Sequence, residues 1–129
     1  MARILIAEDD NSMRHFLARA LERAGHEVLA VRDGQDALPV LAEGRFDLLV
    51  ADIVMPEMDG IELARRAAGI DPALAVIFIT GFAAVAVNHS AGAKPAAKVL
   101  SKPFHLRELV DEVDKALARK PAADRLNPA

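Results

Sequence analysis

Phe46-Asp-Leu-Leu-Val-Ala-Asp-Ile-Val-Met-Pro-Glu-Met-Asp-Gly60 is an apolar run that ends in an acid, Asp52, and is closed by Pro56. Leu48, Leu49 and Val50 read as an interior strand covered on both faces, because such strands carry continuous apolar residues instead of alternating ones. Proline has no N–H to give to a ladder, so Pro56 ends the strand's reach. The Asp52 carboxylate is thereby delivered to a strand's C-terminal edge, where open α/β sheets place ligands and chemistry. Taken alone, Asp52 is read equally well as a turn cap whose side-chain oxygen accepts a neighbouring N–H.

The same pattern recurs on both sides of this stretch. Arg3-Ile-Leu-Ile-Ala7 is a short apolar run followed by Glu8, Asp9 and Asp10. A helix follows from Ser12 to Ala24, capped by Asp10 or Asn11, with Met13, Phe16, Leu17, Ala20, Leu21 and Ala24 at helical spacing and Gly25 as its stop. Glu27–Val31 reads as a second strand, and Asp33-Gly34 opens a second helix to about Glu43. Pro39 lies beyond that helix's first turn, which predicts a kink or a late start. Asp59 to Ala68 gives a third helix and Ala75 to Thr80 a fourth strand. Gly81 to Pro95 is irregular, so a fourth helix there is expected to be short. Ala97 to Ser101 is a fifth strand, Lys102-Pro103 a turn, and His105 to Arg119 a last amphipathic helix burying Leu106, Leu109, Val110, Val113 and Leu117.

Strands alternating with helices through short loops predict an α/β fold, a doubly wound five-stranded parallel sheet of order 2-1-3-4-5 with five helices. In that order Glu8, Asp9, Asp10, Asp52, Thr80 and Lys102 arrive at one edge. Residues 1–119 form one domain and 120–129 a frayed tail. A net charge of −3 with scattered Lys and Arg disfavours a nucleic-acid partner, and the absence of cysteine excludes disulfides and thiolate metal sites. No apolar run is long enough for a bilayer, and a strand beginning at Arg3 leaves no room for a signal peptide, so a cytoplasmic location and no membrane partner are expected.

Converging carboxylates repel one another unless something positive is bound. A hard cation such as Mg²⁺ suits oxygen ligands from Asp10, Asp52 and a water held by Asp9, and no His or Cys is near enough in sequence to favour zinc. A carboxylate beside Mg²⁺ is a potential nucleophile toward phosphorus. Lys102 would offer an ammonium, and Thr80 a hydroxyl, to the oxygens over which charge spreads. Plainer roles stay open: Asp9 or Asp10 as caps, Thr80 as a strand end, Lys102 as a solvated turn lysine. Arg14 and Leu17 on the first helix are either a docking face, with Pro103, or in the leucine's case core. The four histidines read as surface or cap residues.

The acids Glu8-Asp9-Asp10, the stretch Asp52-Ile-Val-Met-Pro-Glu-Met-Asp-Gly60, Thr80 and Lys102-Pro103-Phe104 together resemble a two-component response regulator receiver domain, a family of CheY-like fold. The resemblance implies that Asp52 accepts a phosphoryl group from the phosphohistidine of a histidine kinase or phosphotransfer protein. It further implies that Asp9, Asp10, Asp52 and the Val54 carbonyl hold Mg²⁺, that Lys102 pairs with the product, and that the site dephosphorylates itself without being a conventional enzyme. Ile-Thr-Gly-Phe-Ala-Ala-Val-Ala and Val-Leu-Ser-Lys-Pro-Phe-His-Leu-Arg-Glu-Leu-Val look closest to stand-alone alphaproteobacterial cell-cycle regulators of this family. That likeness implies an adaptor priming the ClpXP protease when unphosphorylated, as a monomer or weak dimer. Two departures bear on switching through Thr80: Gly81 follows it where alanine is common, and Val99 replaces the aromatic residue usual three positions before the lysine. Val99 makes a phosphorylation-independent docking domain an alternative. A phosphohydrolase of the haloacid dehalogenase type would need an acid two residues after Asp52, where Val54 stands.

Overall fold

The computed structural model describes residues 1–81 and 98–119. Five strands, β1 (Arg3–Ala7), β2 (Glu27–Val31), β3 (Leu48–Asp52), β4 (Ala75–Thr80) and β5 (Lys98–Ser101), form one parallel sheet in the order β2-β1-β3-β4-β5. Among the described residues there are four helices: α1 (Asn11–Arg23), α2 (Gly34–Glu43), α3 (Gly60–Ile70) and α4 (Leu106–Ala118). The short helix expected within 81–95 and the tail from 120 fall outside the described residues, apart from Gly81 itself.

Burial explains the strand compositions. All five residues of β3 are buried, as are four of five in β1 and five of six in β4, which matches their unbroken apolar runs. The edge strands are only partly covered. Alternate residues serve opposite faces. Leu5, Leu49, Val76 and Phe78 pack with Ala37, Leu41, Leu63 and Ala67 of α2 and α3. Ile4, Ile6, Val50 and Ile77 pack with Leu17 and Leu21 of α1 and Leu109 and Val113 of α4.

Three helices start alike. Asp10, Asp33 and Asp59 are extended N-caps whose side chains accept from the backbone N–H three residues on, satisfying one donor that the helix cannot. α1 ends with Gly25 at φ 98, and His26 N–H donates to the Leu21 carbonyl at 3.1 Å, a turn whose left-handed backbone suits glycine.

The structure decides several local readings. Of the kink or late start expected from Pro39, the late start is absent: α2 begins at Gly34 directly after its cap and includes Pro39, the cap stabilising the first turn ahead of the proline's missing N–H. Leu17 is completely buried, whereas its neighbour Phe16 is 41% exposed; adjacent helical positions differ by about 100° in direction, which turns one inward and the other outward. Leu17 is therefore core and not a docking residue. Leu106, in the first turn of α4, is exposed, and Ala116 is buried in the helix instead.

Candidate functional site at the C-terminal edge of the sheet

Asp52 is the last residue of β3 and only 6% exposed. One carboxylate oxygen, Oδ1, accepts the Val54 N–H at 3.0 Å, and the other, Oδ2, accepts from Lys102 Nζ at 3.0 Å. The turn-cap role and the charged contact thus reside in one group. Lys102 follows β5, where its N–H donates to the Thr80 carbonyl at 2.9 Å, and its ammonium also reaches Glu8 Oε1 at 3.2 Å. The strands β1, β3 and β5 therefore meet through a single side chain.

Glu8 is fully buried. Its N–H donates to the Val31 carbonyl at 3.1 Å, its own carbonyl accepts from Arg14 Nη1 at 2.9 Å, and Oε2 accepts the Asp10 N–H at 3.1 Å. Burial is the main force pushing the Glu8 carboxyl up to about 7, helped by hydrogen bonding and charge from Asp52 and opposed by the Asp10 N–H and Lys102. Burial works against the Lys102 ammonium, but hydrogen bonds and charges from Asp52 and Glu8 outweigh it and hold its pKa above the ordinary lysine value.

Carboxylate oxygens of Glu8, Asp9 and Asp52 lie within 4.8 Å of one another. Two of these acids are buried and share one ammonium, so the group retains negative charge. An all-oxygen donor set of this kind fits Mg²⁺, a hard cation that keeps several waters of its own.

Among the described residues it is Glu8, and not Asp10, that joins Asp9 and Asp52. Asp10 is exposed and its Oδ1 accepts the Met13 N–H at 3.0 Å as the α1 cap. Thr80 is buried at the end of β4 beside Ser101. Gly81 is exposed. Val99 is half-buried, pairs with Phe78 and packs on the core facing α2 and α3. Arg14 is half-buried through its bond to the Glu8 carbonyl, and Pro103 is exposed. Glu8 was hidden in sequence among three adjacent acids; the signal that could single it out is its place directly after the buried run Ile4 to Ala7. A groove of about 680 Å³ between the end of α2 and the end of α3, lined by Gly44, Phe46, Ile70 and Leu74 among others, lies at the opposite edge of the sheet. It takes no part in this cluster.

Residues 4–114 match the response regulator receiver domain family. The chain is 62% identical over 117 residues to the response regulator receiver protein CpdR of Brucella abortus, covering 91% of this chain and 98% of that protein. It covers only 27% and 24% of two longer relatives. Among solved structures, a response regulator receiver protein from Sinorhizobium medicae is 31% identical with a TM-score of 0.85, over 92% of this chain and 96% of that one. The response regulator TrrA of Thermotoga maritima, solved in complex with Mg²⁺ and BeF, is 28% identical with a TM-score of 0.81, over 90% and 99%. Sequence match, strand order and the acids gathered around Lys102 agree, and the chain belongs to the response regulator receiver domain family.

Proposed function

We propose that Asp52 accepts a phosphoryl group from a phosphohistidine and that the new charge switches the affinity of this chain for a partner protein. The observation that carries the reading is the Lys102 ammonium lying 3.0 Å from Asp52 and 3.2 Å from Glu8, with Asp9 alongside. An Asp52 oxygen attacks phosphorus as the phosphorus–nitrogen bond breaks, and the imidazole of the donor leaves. Lys102, already beside the acceptor carboxylate, neutralises charge spreading onto the phosphoryl oxygens. The Thr80 hydroxyl and the N–H groups after β3 and β4 supply further donors. Glu8, Asp9 and Asp52, with the Val54 carbonyl and with Asp10 through water, would hold Mg²⁺, whose charge offsets that of the phosphoryl group. Hydrolysis of the acyl phosphate at the same site resets the chain.

The donor in this reading is a histidine kinase or a histidine phosphotransfer protein, in the cytoplasm. The output is an adaptor function for the ClpXP protease, active while Asp52 is unphosphorylated; motif resemblance and the match along nearly all of CpdR support it. A tenfold contrast in partner affinity requires only about 1.4 kcal/mol of differential binding. Intact-mass measurement with acetyl phosphate and Mg²⁺ tests the acceptor: the wild type gains one phosphoryl group and Asp52→Ala gains none. Equal gain in both proteins sinks the assignment. A binding measurement on immobilised ClpX, with and without phosphorylation, tests the output.

Val99 supports one second reading. A half-buried valine packed against the core has no ring to swing between solvent and interior, which favours docking that ignores phosphorylation. Identical partner affinities of the two forms would select it.

A further inference from the structure

Two helices that start at this edge of the sheet begin with glycine, and the surroundings of the two glycines differ. At Gly34, the first residue of α2, the atoms nearest an added Cβ all belong to the Met58 side chain, Sδ at 2.9 Å and Cβ and Cγ at 3.3 Å, and of these the close one, Sδ, can swing aside. At Gly60, the first residue of α3, it would lie 2.4 Å from the Asp52 carbonyl oxygen, 2.9 Å from its carbonyl carbon and 3.0 Å from Ile53 Cα. Those are backbone atoms of the central strand's end, and they cannot rotate away. Gly60 is held there by its N–H, which donates to the Ile53 carbonyl at 2.9 Å, and by the Asp59 cap, whose Oδ1 accepts the Glu62 N–H at 2.8 Å. Asp52 is consequently gripped at both ends. Its peptide lies against the first turn of α3, and its carboxylate accepts from Val54 N–H and Lys102 Nζ.

We infer that Gly60 is a positioning residue for Asp52: the absence of a side chain lets α3 seat directly on the acceptor's peptide and so sets where the carboxylate stands relative to Lys102. The inference rests on Asp52 being the phosphoacceptor. Any side chain at position 60 forces the strand end and the helix apart by about 1 Å to restore ordinary contact, and a displacement of that size at a reacting group costs on the order of 100-fold in rate.

The test is the rate of phosphoryl uptake by the full chain from acetyl phosphate at saturating Mg²⁺, followed by intact mass well below the melting temperature. Gly60→Ala, folded by far-UV circular dichroism, is expected to react at least tenfold more slowly than wild type. Gly34→Ala, which displaces only the Met58 side chain, is expected to lower stability but to react within twofold of wild type. If Gly60→Ala does not fold, Asp59→Ala decides: it loosens the first turn of α3 without adding atoms and should slow uptake at least threefold. A folded Gly60→Ala, or in its place Asp59→Ala, that reacts within twofold of wild type overturns the inference, as does equal slowing by Gly34→Ala. A wild type that gains no mass overturns the acceptor reading, and this inference falls with it.

Discussion

At the scale of single residues, Glu8 and Lys102 carry the sharpest expectations. The Glu8 carboxyl titrates near 4.5 in the unfolded chain and about 7 in the fold. The folded chain therefore binds the extra proton between those values, and the stability that Glu8 contributes, complete below pH 4.5, is lost as pH rises through about 7. Mg²⁺ needs the ionised form, so its affinity should rise with pH, by up to about tenfold per unit, and level off above neutrality. Calorimetric titration at pH 6 in two buffers of different ionisation enthalpy should show a proton released on Mg²⁺ binding, and Glu8→Gln should abolish that release. Lys102→Ala should leave two buried carboxylates with no counter-charge; since the ammonium is itself a quarter exposed, the expected loss is about 1–3 kcal/mol in urea unfolding without Mg²⁺. Asp52 and Lys102 were legible in sequence because Asp52 ends an apolar strand and Lys102 directly follows another strand. Glu8 was not singled out, because three consecutive acids have no periodicity and the turn alone decides which faces inward. Gly60 was legible as a helix start and not as a contact, since the 2.4 Å approach depends on where α3 lands on β3.

At the scale of elements, the strands were readable because burial on both faces leaves continuous apolar runs, and parallel connections leave few sheet orders. The helix faces were read less well. Phe16 and Leu106 fit an apolar periodicity yet lie exposed, while Leu17 and Ala116 fill the interior, because the apolar stripe of a helix is wide and its rotation against the sheet is fixed by packing. α2 supplies a prediction of its own. Pro39 lies inside the helix with an exposed ring, where it leaves the Gln35 carbonyl without its usual helical donor. A helix-interior proline costs about 3 kcal/mol relative to alanine, whereas the entropy it removes from the unfolded chain returns about 0.4–1 kcal/mol. Pro39→Ala should therefore stabilise the protein by roughly 2 kcal/mol. A thermal melt showing a lower midpoint for the variant would mean that α2 accommodates the ring at no cost.

At the scale of the whole molecule, one sheet carries two cores, and the acids stand where the ends of β1 and β3 meet. A cation bound there draws together the ends of two strands that are distant in sequence, β1 and β3, and the unfolded chain keeps no such site. Binding should therefore raise global stability. The gain follows the ratio of free cation to Kd and amounts to about 2.7 kcal/mol at one hundred times Kd, or roughly 5–15 °C in melting temperature for a domain of this size. Asp9 is exposed and contributes negative charge without filling the core, so Asp9→Asn should leave the cation-free midpoint nearly unchanged while removing most of the Mg²⁺-dependent rise. Leu17→Ala gives the complementary pattern: a fully buried leucine in the face covered by α1 and α4 should cost about 2–5 kcal/mol yet keep the slope of the midpoint against the logarithm of Mg²⁺ concentration, because the site lies at the sheet's edge and the cavity opens beneath the helices. Melts of the three proteins in EDTA and across a Mg²⁺ series separate the two contributions. A Leu17→Ala midpoint that no longer responds to Mg²⁺ would show that the site depends on that core and is not held by the strand ends alone.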